Sequence, residues 1–214
     1  MTAIVVPFRG ASGKQRLDAP DDLRAQVALA MLGDVVAACV ATARTRVVTS
    51  DLTAQDLVVE LGGEVVPDPG GGQGAAVAAA LAGLPEEPVL VVNADVPCLV
   101  PHDLRTLTGA AELGAFGLVE ADDGTTNALA LPRPSAFAPL YGAGSARRFR
   151  KHAVSLGLET VAAVIPNLAD DVDTVDDLER LALRVAPRTR AAREKLSLGK
   201  LSLGKLSLAE LSRR

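Results

Sequence analysis

Short runs of purely apolar residues, each followed by a longer segment with helical spacing, constrain the fold of this chain more than any other feature. Ala3–Pro7 reads AIVVP and Pro88–Asn93 reads PVLVVN, so both runs are expected to be strands buried on both faces. Strand-like runs at Arg46–Thr49 and Glu64–Pro67 lie between them and alternate with helical patterns. This alternation is typical of a mostly parallel, doubly wound α/β sheet with helices on both faces.

The second half of the chain has a different pattern. Phe116–Ala121 and Asn127–Leu131 are joined by a polar turn, which predicts a β-hairpin added to the sheet. The remaining expected elements are a helix at Ser145–Leu156, a short strand at Val161–Ile165 and a last ordered helix at Val175–Ala186.

The chain ends in a low-complexity segment, in which KLSLG, KLSLG and KLSLA follow one another from Lys195 to Ala209. A period of five spreads the leucines around a helix and alternates them across a strand, so a packed amphipathic element is not expected. We predict one domain over residues 1–187 and a low-complexity tail over 188–214. The alternative is that the repeats form an interaction element.

Composition excludes several classes of protein. The net charge is -4 and aromatic residues make up 2% of the chain without any Trp, which disfavours binding to nucleic acid. Cys39 lies in an apolar helical stretch and is expected to be a buried thiol in a reducing compartment. No signal peptide and no uncharged apolar run of about 20 residues is evident. We therefore expect a cytoplasmic protein with no membrane partner.

The loop after the first strand is a candidate phosphate-binding segment. It carries the cations Arg9, Lys14 and Arg16, together with Gly10, between a buried strand and a helix. Ligands of open α/β sheets bind beyond the carboxyl ends of strands, and this composition suits a triphosphate. The loop differs from a Walker A motif, and the alternative is a solvated basic turn.

Carboxylates at two places are candidate ligands for Mg²⁺. Asp95 follows the fourth predicted strand, which neighbours the first if the strand order is 3-2-1-4. Asp171 and Asp173 are two residues apart, so in an extended segment their side chains point the same way and repel unless a cation or hydrogen bonds compensate. The alternative is helix capping, for which Asp103 and Thr174 are also available.

A glycine turn followed by a basic helix is the last candidate site. Tyr141–Ser145 reads YGAGS and precedes a run rich in arginine. A glycine turn that opens a helix presents N–H groups to an anion, with Ser145 as a hydroxyl donor. The alternative is a solvated basic face.

Taken together, these segments resemble the 2-phospho-L-lactate or phosphoenolpyruvate guanylyltransferases of deazaflavin coenzyme F-420 biosynthesis, within the sugar-nucleotidyltransferase-like superfamily. The resemblance covers roughly residues 3–185. It rests on VVPFRGASGKQRL, NADVPCL, DDGTTNALAL, YGAGS and DVDTVDDL. It implies a nucleotide-diphospho-sugar transferase-like fold.

The resemblance also implies roles for individual residues. The metal ligands would be Asp95, Asp171 and Asp173, and the catalytic residues Lys14, Arg16 and Asp95. Acceptor binding would fall to Thr126, Asn127, Gly142 and Ser145, and nucleotide binding to Arg9, Gly10, Lys14, Arg16, Gln73 and Gly74. The chain departs from the family pattern in having Arg9 for Lys, Gln73-Gly74 for Leu-Asn, and Phe149 for His.

The implied reaction transfers GMP from GTP, with Mg²⁺ as cofactor, to phosphoenolpyruvate, 2-phospho-L-lactate or 3-phosphoglycerate, and releases pyrophosphate. The expected partners are these small molecules, and a homodimer is an open alternative to a monomer. Two alternatives stay open. One is a molybdenum-cofactor-type or other nucleotidyltransferase, and the other is a non-catalytic nucleotide-binding module.

Overall fold

The structure is a computed structural model that describes residues 3–10 and 17–197. Lys14 and Arg16 of the first loop lie outside the described residues, as does most of the KLSLG repeat.

The strands form one sheet of seven, in the order β3-β2-β1-β4-β6-β5-β7. They are β1 (Ala3–Pro7), β2 (Thr45–Val48), β3 (Glu64–Val66), β4 (Val89–Val92), β5 (Phe116–Glu120), β6 (Thr126–Leu131) and β7 (Thr160–Ala162). The first four strands pair in parallel, with β1 next to β4. This confirms the order 3-2-1-4 on which the placement of Asp95 near the first loop depended.

Helices cover both faces of the sheet. They are α1 (Asp21–Val40), α2 (Leu52–Glu60), α3 (Gln73–Leu81), α4 (Pro101–Glu112), α5 (Ser145–Ser155), α6 (Pro166–Ala169), α7 (Val175–Arg180) and α8 (187–197). Along β1, Ile4 packs into the cluster beneath α1, α2 and α4, whereas Val5 packs into the cluster beneath α3 and α5. Because successive strand residues face opposite sides, both sides must be apolar, which explains the uniform AIVVP run. The predicted doubly wound fold is confirmed.

The predicted hairpin is also confirmed, and it has a specific place in the sheet. β5 and β6 pair antiparallel, and β6 pairs antiparallel with β4, so that Val91 lies opposite Leu129. β7 then joins β5 in parallel at the edge. The hairpin therefore brings the end of β6 that carries Thr126 next to the carboxyl end of β4.

The C-terminal part of the described chain differs from expectation. α7 ends at Arg180 rather than near Ala186, and α8 follows over residues 187–197. Asp34 of α1 accepts hydrogen bonds from the N–H groups of Arg188 and Thr189, at 3.1 and 2.8 Å. The expected domain boundary at residue 188 thus lies inside a helix that is docked on the domain.

The first repeat contributes a core residue, contrary to the expectation that its leucines would not pack. Leu196 is only 2% exposed and lies in a cluster with Val185 and Ala192. Ala192 and Leu196 are four residues apart on one face of α8, which begins before the repeat, so the apolar face starts in ordinary sequence. The period of the repeat alone could not show this.

Among the described residues, α1 has the length and hydropathy of a membrane span, but 56% of that window is buried within the protein. Its buried side chains include Leu32 and Val35, which belong to the central cluster. Cys39, also on α1, is a buried free thiol as predicted, and burial raises its pKa.

Candidate active site

Three aspartates from two distant segments meet at the carboxyl edge of the sheet. Asp95 follows β4, whereas Asp171 and Asp173 lie in the extended segment before α7. The N–H of Val172 donates to the carbonyl oxygen of Asp95 at 2.9 Å and joins the two segments. One carboxylate oxygen from each aspartate can be chosen so that all lie within 4.8 Å of one another.

The chemistry of this cluster fits a divalent cation with a preference for oxygen ligands. Burial raises the pKa of Asp171 to about 6, and the negative charges of Asp95 and Asp173 add to the rise. A hydrogen bond from Asn127 acts in the opposite direction. Half-buried carboxylates this close repel one another, and Mg²⁺ or Mn²⁺ would remove that repulsion.

Helix capping does not account for these aspartates. At the start of α4, Asp103 accepts a hydrogen bond of 3.0 Å from the N–H of Val100. At the start of α7, Thr174 accepts from the N–H of Asp177 at 3.2 Å. Other residues therefore make the two caps, as the sequence allowed.

A cavity of about 250 Å³ lies beside the aspartates, and the described residues of the first loop form part of its lining. It is lined by Pro7, Phe8, Arg9, Gly10, Ala28, Met31, Gln73, Asn93, Ala94, Asp95 and Asp173. Residues predicted to bind the nucleotide and residues predicted to bind the metal therefore line the same cavity. We refer to this space as the inner cavity.

A second space of about 580 Å³, the outer cavity, shares Arg9 and Gln73 with the first. Its other lining residues are Gly71, Gly72, Gly74, Ala75, Ala78, Pro139, Tyr141 and Gly142. The structure therefore brings Gly74, predicted on the nucleotide side, and Gly142, predicted on the acceptor side, to one cleft.

Two glycines of this cleft are required by their surroundings. Gly72 has a φ of +97°, and a Cβ there would lie 2.8 Å from Nη2 of Arg9. A Cβ on Gly74 would lie 2.5 Å from Cβ of Pro139. Gly74 stands where the expected pattern has Asn, and at this position Pro139 approaches so closely that an Asn side chain would not fit.

The other predicted acceptor residues are buried and line neither the inner nor the outer cavity. Ser145 is 0% exposed, and its Oγ donates to Oγ1 of Thr126 at 3.0 Å. Thr126 and Asn127 are each 2% exposed. Nδ2 of Asn127 donates to Asp171 Oδ1 at 3.2 Å, which places this amide against a candidate metal ligand.

Sequence reasoning missed a structural role within the basic helix. Arg148 donates to the carbonyl oxygens of Leu140, Tyr141 and Ala143 at distances from 2.6 to 3.1 Å, and so braces the loop that contains Gly142. The run of arginines suggested phosphate binding, and nothing in the sequence pattern predicted that Arg148 would bind these carbonyl oxygens.

Asn93 was also missed. It lies two residues before Asp95 and forms hydrogen bonds with the side-chain amides of Gln73 and Asn127. A polar residue at the end of an otherwise apolar strand was the available signal. By contrast, the ring of Phe149 packs against Tyr141 with centroids 5.2 Å apart, so it belongs to the core.

Comparison with known proteins agrees with this geometry. Residues 23–173, which include all three aspartates, match the family model of the MobA-like NTP transferase domain. The chain is 42% identical to a phosphoenolpyruvate guanylyltransferase of Streptomyces scabiei, over 90% of this chain and 96% of that protein. It is also 42% identical to the protein of that name from Streptomyces coelicolor, with the same coverage.

Solved structures support the fold. A Desulfovibrio desulfuricans protein described as a nucleotide-diphospho-sugar transferase superposes with a TM-score of 0.72 at 17% identity, covering 91% of this chain and 95% of that one. A nucleotidyl transferase from Methanothermobacter has a TM-score of 0.59 at 15% identity, covering 86% and 96%. With the relatives above, these findings show that the chain is a nucleotidyltransferase enzyme of the MobA-like NTP transferase family and belongs to its phosphoenolpyruvate guanylyltransferases.

Proposed function

We propose that this enzyme transfers GMP from GTP to a phosphorylated three-carbon acid and releases pyrophosphate. Phosphoenolpyruvate is the first candidate acceptor, because the relatives at 42% identity carry that name. 2-Phospho-L-lactate and 3-phosphoglycerate share its phosphate and carboxylate groups. The enzyme would act in deazaflavin coenzyme F-420 biosynthesis, in the cytoplasm, and the GTTNAL and YGAGS segments support a small phosphorylated acid as the acceptor.

The observation that carries the proposal is the position of the aspartates beside the inner cavity. Asp95 and Asp173 line this cavity together with Arg9 and Gly10. A nucleotidyl transfer brings two anionic phosphates together, so it requires positive charge where they meet. Cations on the first loop and carboxylates able to hold a divalent ion are the groups that this chemistry needs.

The chemical step requires one bond to form and one to break. A phosphate oxygen of the acid attacks the α-phosphorus of GTP, and the bond from that phosphorus to the oxygen bridging to the β-phosphate breaks. Pyrophosphate leaves with the electron pair. No general base is required, because a phosphate monoester is already largely ionised at pH 7.

The residues of the chain would divide the work between two sides. Arg9 and Gly10, with Lys14 and Arg16, would hold the triphosphate and balance the charge of the leaving pyrophosphate. Asp95, Asp171 and Asp173 would hold Mg²⁺, which when bound offsets the charge that develops on the transferred group.

On the acceptor side, the loop around Gly142 would face the acid. Ser145, Thr126 and Asn127 would support that side from buried positions, where Ser145 is hydrogen-bonded to Thr126. Gln73 and Gly74 would contact the nucleotide, since both line the outer cavity.

A matrix of substrates tests the proposal. Pyrophosphate release is measured for GTP, ATP, CTP and UTP against phosphoenolpyruvate, 2-phospho-L-lactate and 3-phosphoglycerate, with Mg²⁺ present. We expect release with GTP and one of these acids. A molybdopterin acceptor is included as a further arm, and transfer to it alone would favour the molybdenum-cofactor-type alternative. Nucleotide binding without release under any condition would favour a non-catalytic module.

A further inference from the structure

A chain of side-chain amides connects the nucleotide cleft to a candidate metal ligand. Nε2 of Gln73 lies 2.7 Å from Oδ1 of Asn93. Nδ2 of Asn93 lies 3.3 Å from Oδ1 of Asn127. Nδ2 of Asn127 in turn lies 3.2 Å from Oδ1 of Asp171. The contacts run from the first residue of α3, past the ends of β4 and β6, to the segment before α7.

The direction of donation along this chain is set by groups that can only accept. Nδ2 of Asn127 lies 3.0 Å from the carbonyl oxygen of Ala169, which can only accept, so the NH₂ group of Asn127 must point to this side, where Oδ1 of Asp171 also lies at 3.2 Å. Its oxygen is thereby turned to Asn93, which must present an NH₂ group. That group also meets the carbonyl oxygen of Thr126 at 3.2 Å.

The same argument extends to the cleft. Because the NH₂ group of Asn93 points to Asn127, its oxygen Oδ1 points to Gln73 and accepts a hydrogen bond. Gln73 must therefore donate through Nε2. All amide orientations then follow from the acceptors at the far end. Asn127 is 2% exposed, so water does not compete for its bonds.

We propose that Asn93 is a positioning residue, the centre of an amide relay that holds Asp171 in place for a divalent cation and links its position to Gln73 in the nucleotide cleft. A hydrogen bond to one oxygen of a carboxylate fixes the rotation of the group and hence the direction of its second oxygen. Neutral donors do this without placing a positive charge where a cation must bind. Groups that orient metal ligands in this way commonly contribute tenfold to a hundredfold to metal affinity.

The inference rests on the metal site of the proposed function, and its test does not require catalysis. Mn²⁺ binding to the whole protein is measured by calorimetry for the wild type and for Asn93→Leu, which keeps the side-chain size and removes the amide. We expect binding to weaken on the order of tenfold. Asn167→Leu is the matched control, because Asn167 also donates to a carboxylate, Asp103 at 3.0 Å, outside the relay. Its Mn²⁺ affinity should stay within about twofold of the wild type, well below the relay effect.

Double variants separate a relay from a local packing effect. Gln73→Leu should weaken Mn²⁺ binding although Asn93 and Asn127 separate Gln73 from Asp171. Adding it to Asn93→Leu should cause no further loss, because the chain is already broken. Asn93→Ala serves if the leucine variant does not fold. Wild-type affinity in a folded Asn93 variant, or additive losses in the double variant, would overturn the inference.

The same measurements distinguish failure of the relay from failure of the proposed function. A wild-type protein that binds Mn²⁺ but transfers no nucleotide to any acid contradicts the proposed function alone. A wild-type protein that binds no Mn²⁺ overturns the relay together with the metal site.

Discussion

The main-chain N–H of Val172 donates a 2.9 Å hydrogen bond to the carbonyl oxygen of Asp95. The side chain of Val172 is fully buried in the cluster that also holds Leu17 and Leu196. One residue thus anchors the segment between two candidate metal ligands, both to the end of β4 and to the core. The positions of Asp171 and Asp173 therefore depend on how this segment packs against the core.

Removing any one of the clustered carboxylates should abolish most of the activity. We expect Asp95→Asn, Asp171→Asn and Asp173→Asn each to lower the rate of transfer on the order of a thousandfold while the protein remains folded. Asp176→Asn is the control, since Asp176 is an exposed aspartate of α7 that is near Asp173 in the sequence. Pyrophosphate release by a variant at a rate near that of the wild type would remove its residue from the metal site.

The raised pKa of Asp171 predicts a pH dependence with a definite sign. Because burial and neighbouring charge raise this pKa from 3.8 to about 6, the protonated carboxyl is favoured in the folded protein. The metal-free protein should lose stability as the pH rises from about 4 to above 6. Mn²⁺ binding should weaken as the pH falls below 6, since a ligand must lose its proton.

Chemical denaturation of the metal-free protein between pH 4 and 7.5 measures the first effect. The difference between the wild type and Asp171→Asn isolates this residue from the other acidic groups. If both proteins show the same pH profile, Asp171 does not titrate in this range.

The packing of α8 predicts that one leucine of the repeat stabilises the domain. Leu196→Ala should lower the free energy of unfolding by about 2–3 kcal/mol, because Leu196 is 2% exposed within a cluster. Leu183→Ala is the matched control, since Leu183 is 95% exposed. Urea denaturation of both variants measures the difference. Equal stabilities would show that the repeat begins outside the core.

The contact between Gly74 and Pro139 predicts opposite effects for two similar substitutions. Gly74→Ala should destabilise the protein by about 1–3 kcal/mol, because its Cβ would lie 2.5 Å from Pro139. Gly109→Ala in α4 should stabilise it by up to about 1 kcal/mol, because a Cβ there meets nothing within 4 Å. Thermal unfolding of the two variants, and of Gly74→Asn, compares them. A stable Gly74→Asn would show that Pro139 moves readily.

The buried pair of hydroxyl groups predicts a combined effect for Ser145→Ala. Loss of the bond to Thr126 should lower the free energy of unfolding by about 1 kcal/mol. The Michaelis constant for the acid should rise while that for GTP changes little, because Ser145 supports the loop around Gly142. Ser155→Ala is the control, since Ser155 donates to a carbonyl oxygen at the other end of α5. A rise in the constant for GTP alone would mean that the two sides of the cleft are assigned the wrong way round.

Local features of the chain were readable from the sequence. Apolar runs such as Ala3–Pro7 predicted buried parallel strands, because only a strand covered on both faces needs apolar residues at every position. The cap made by Thr174 and the turn before Ser145 also follow from near neighbours in the chain. The residue types of the first loop and of the aspartates indicated phosphate and metal chemistry before any geometry was known.

Contacts between distant segments were decided only by the tertiary structure. The meeting of Asp95 with Asp171, the close approach of Pro139 to Gly74 and the capping of α8 by Asp34 each join parts of the chain that no local pattern relates. Their positions depend on how helices and strands dock, which is set by the packing of the whole core. For the same reason the sequence could propose Asn127 as an acceptor contact, whereas the fold buries it against Asp171.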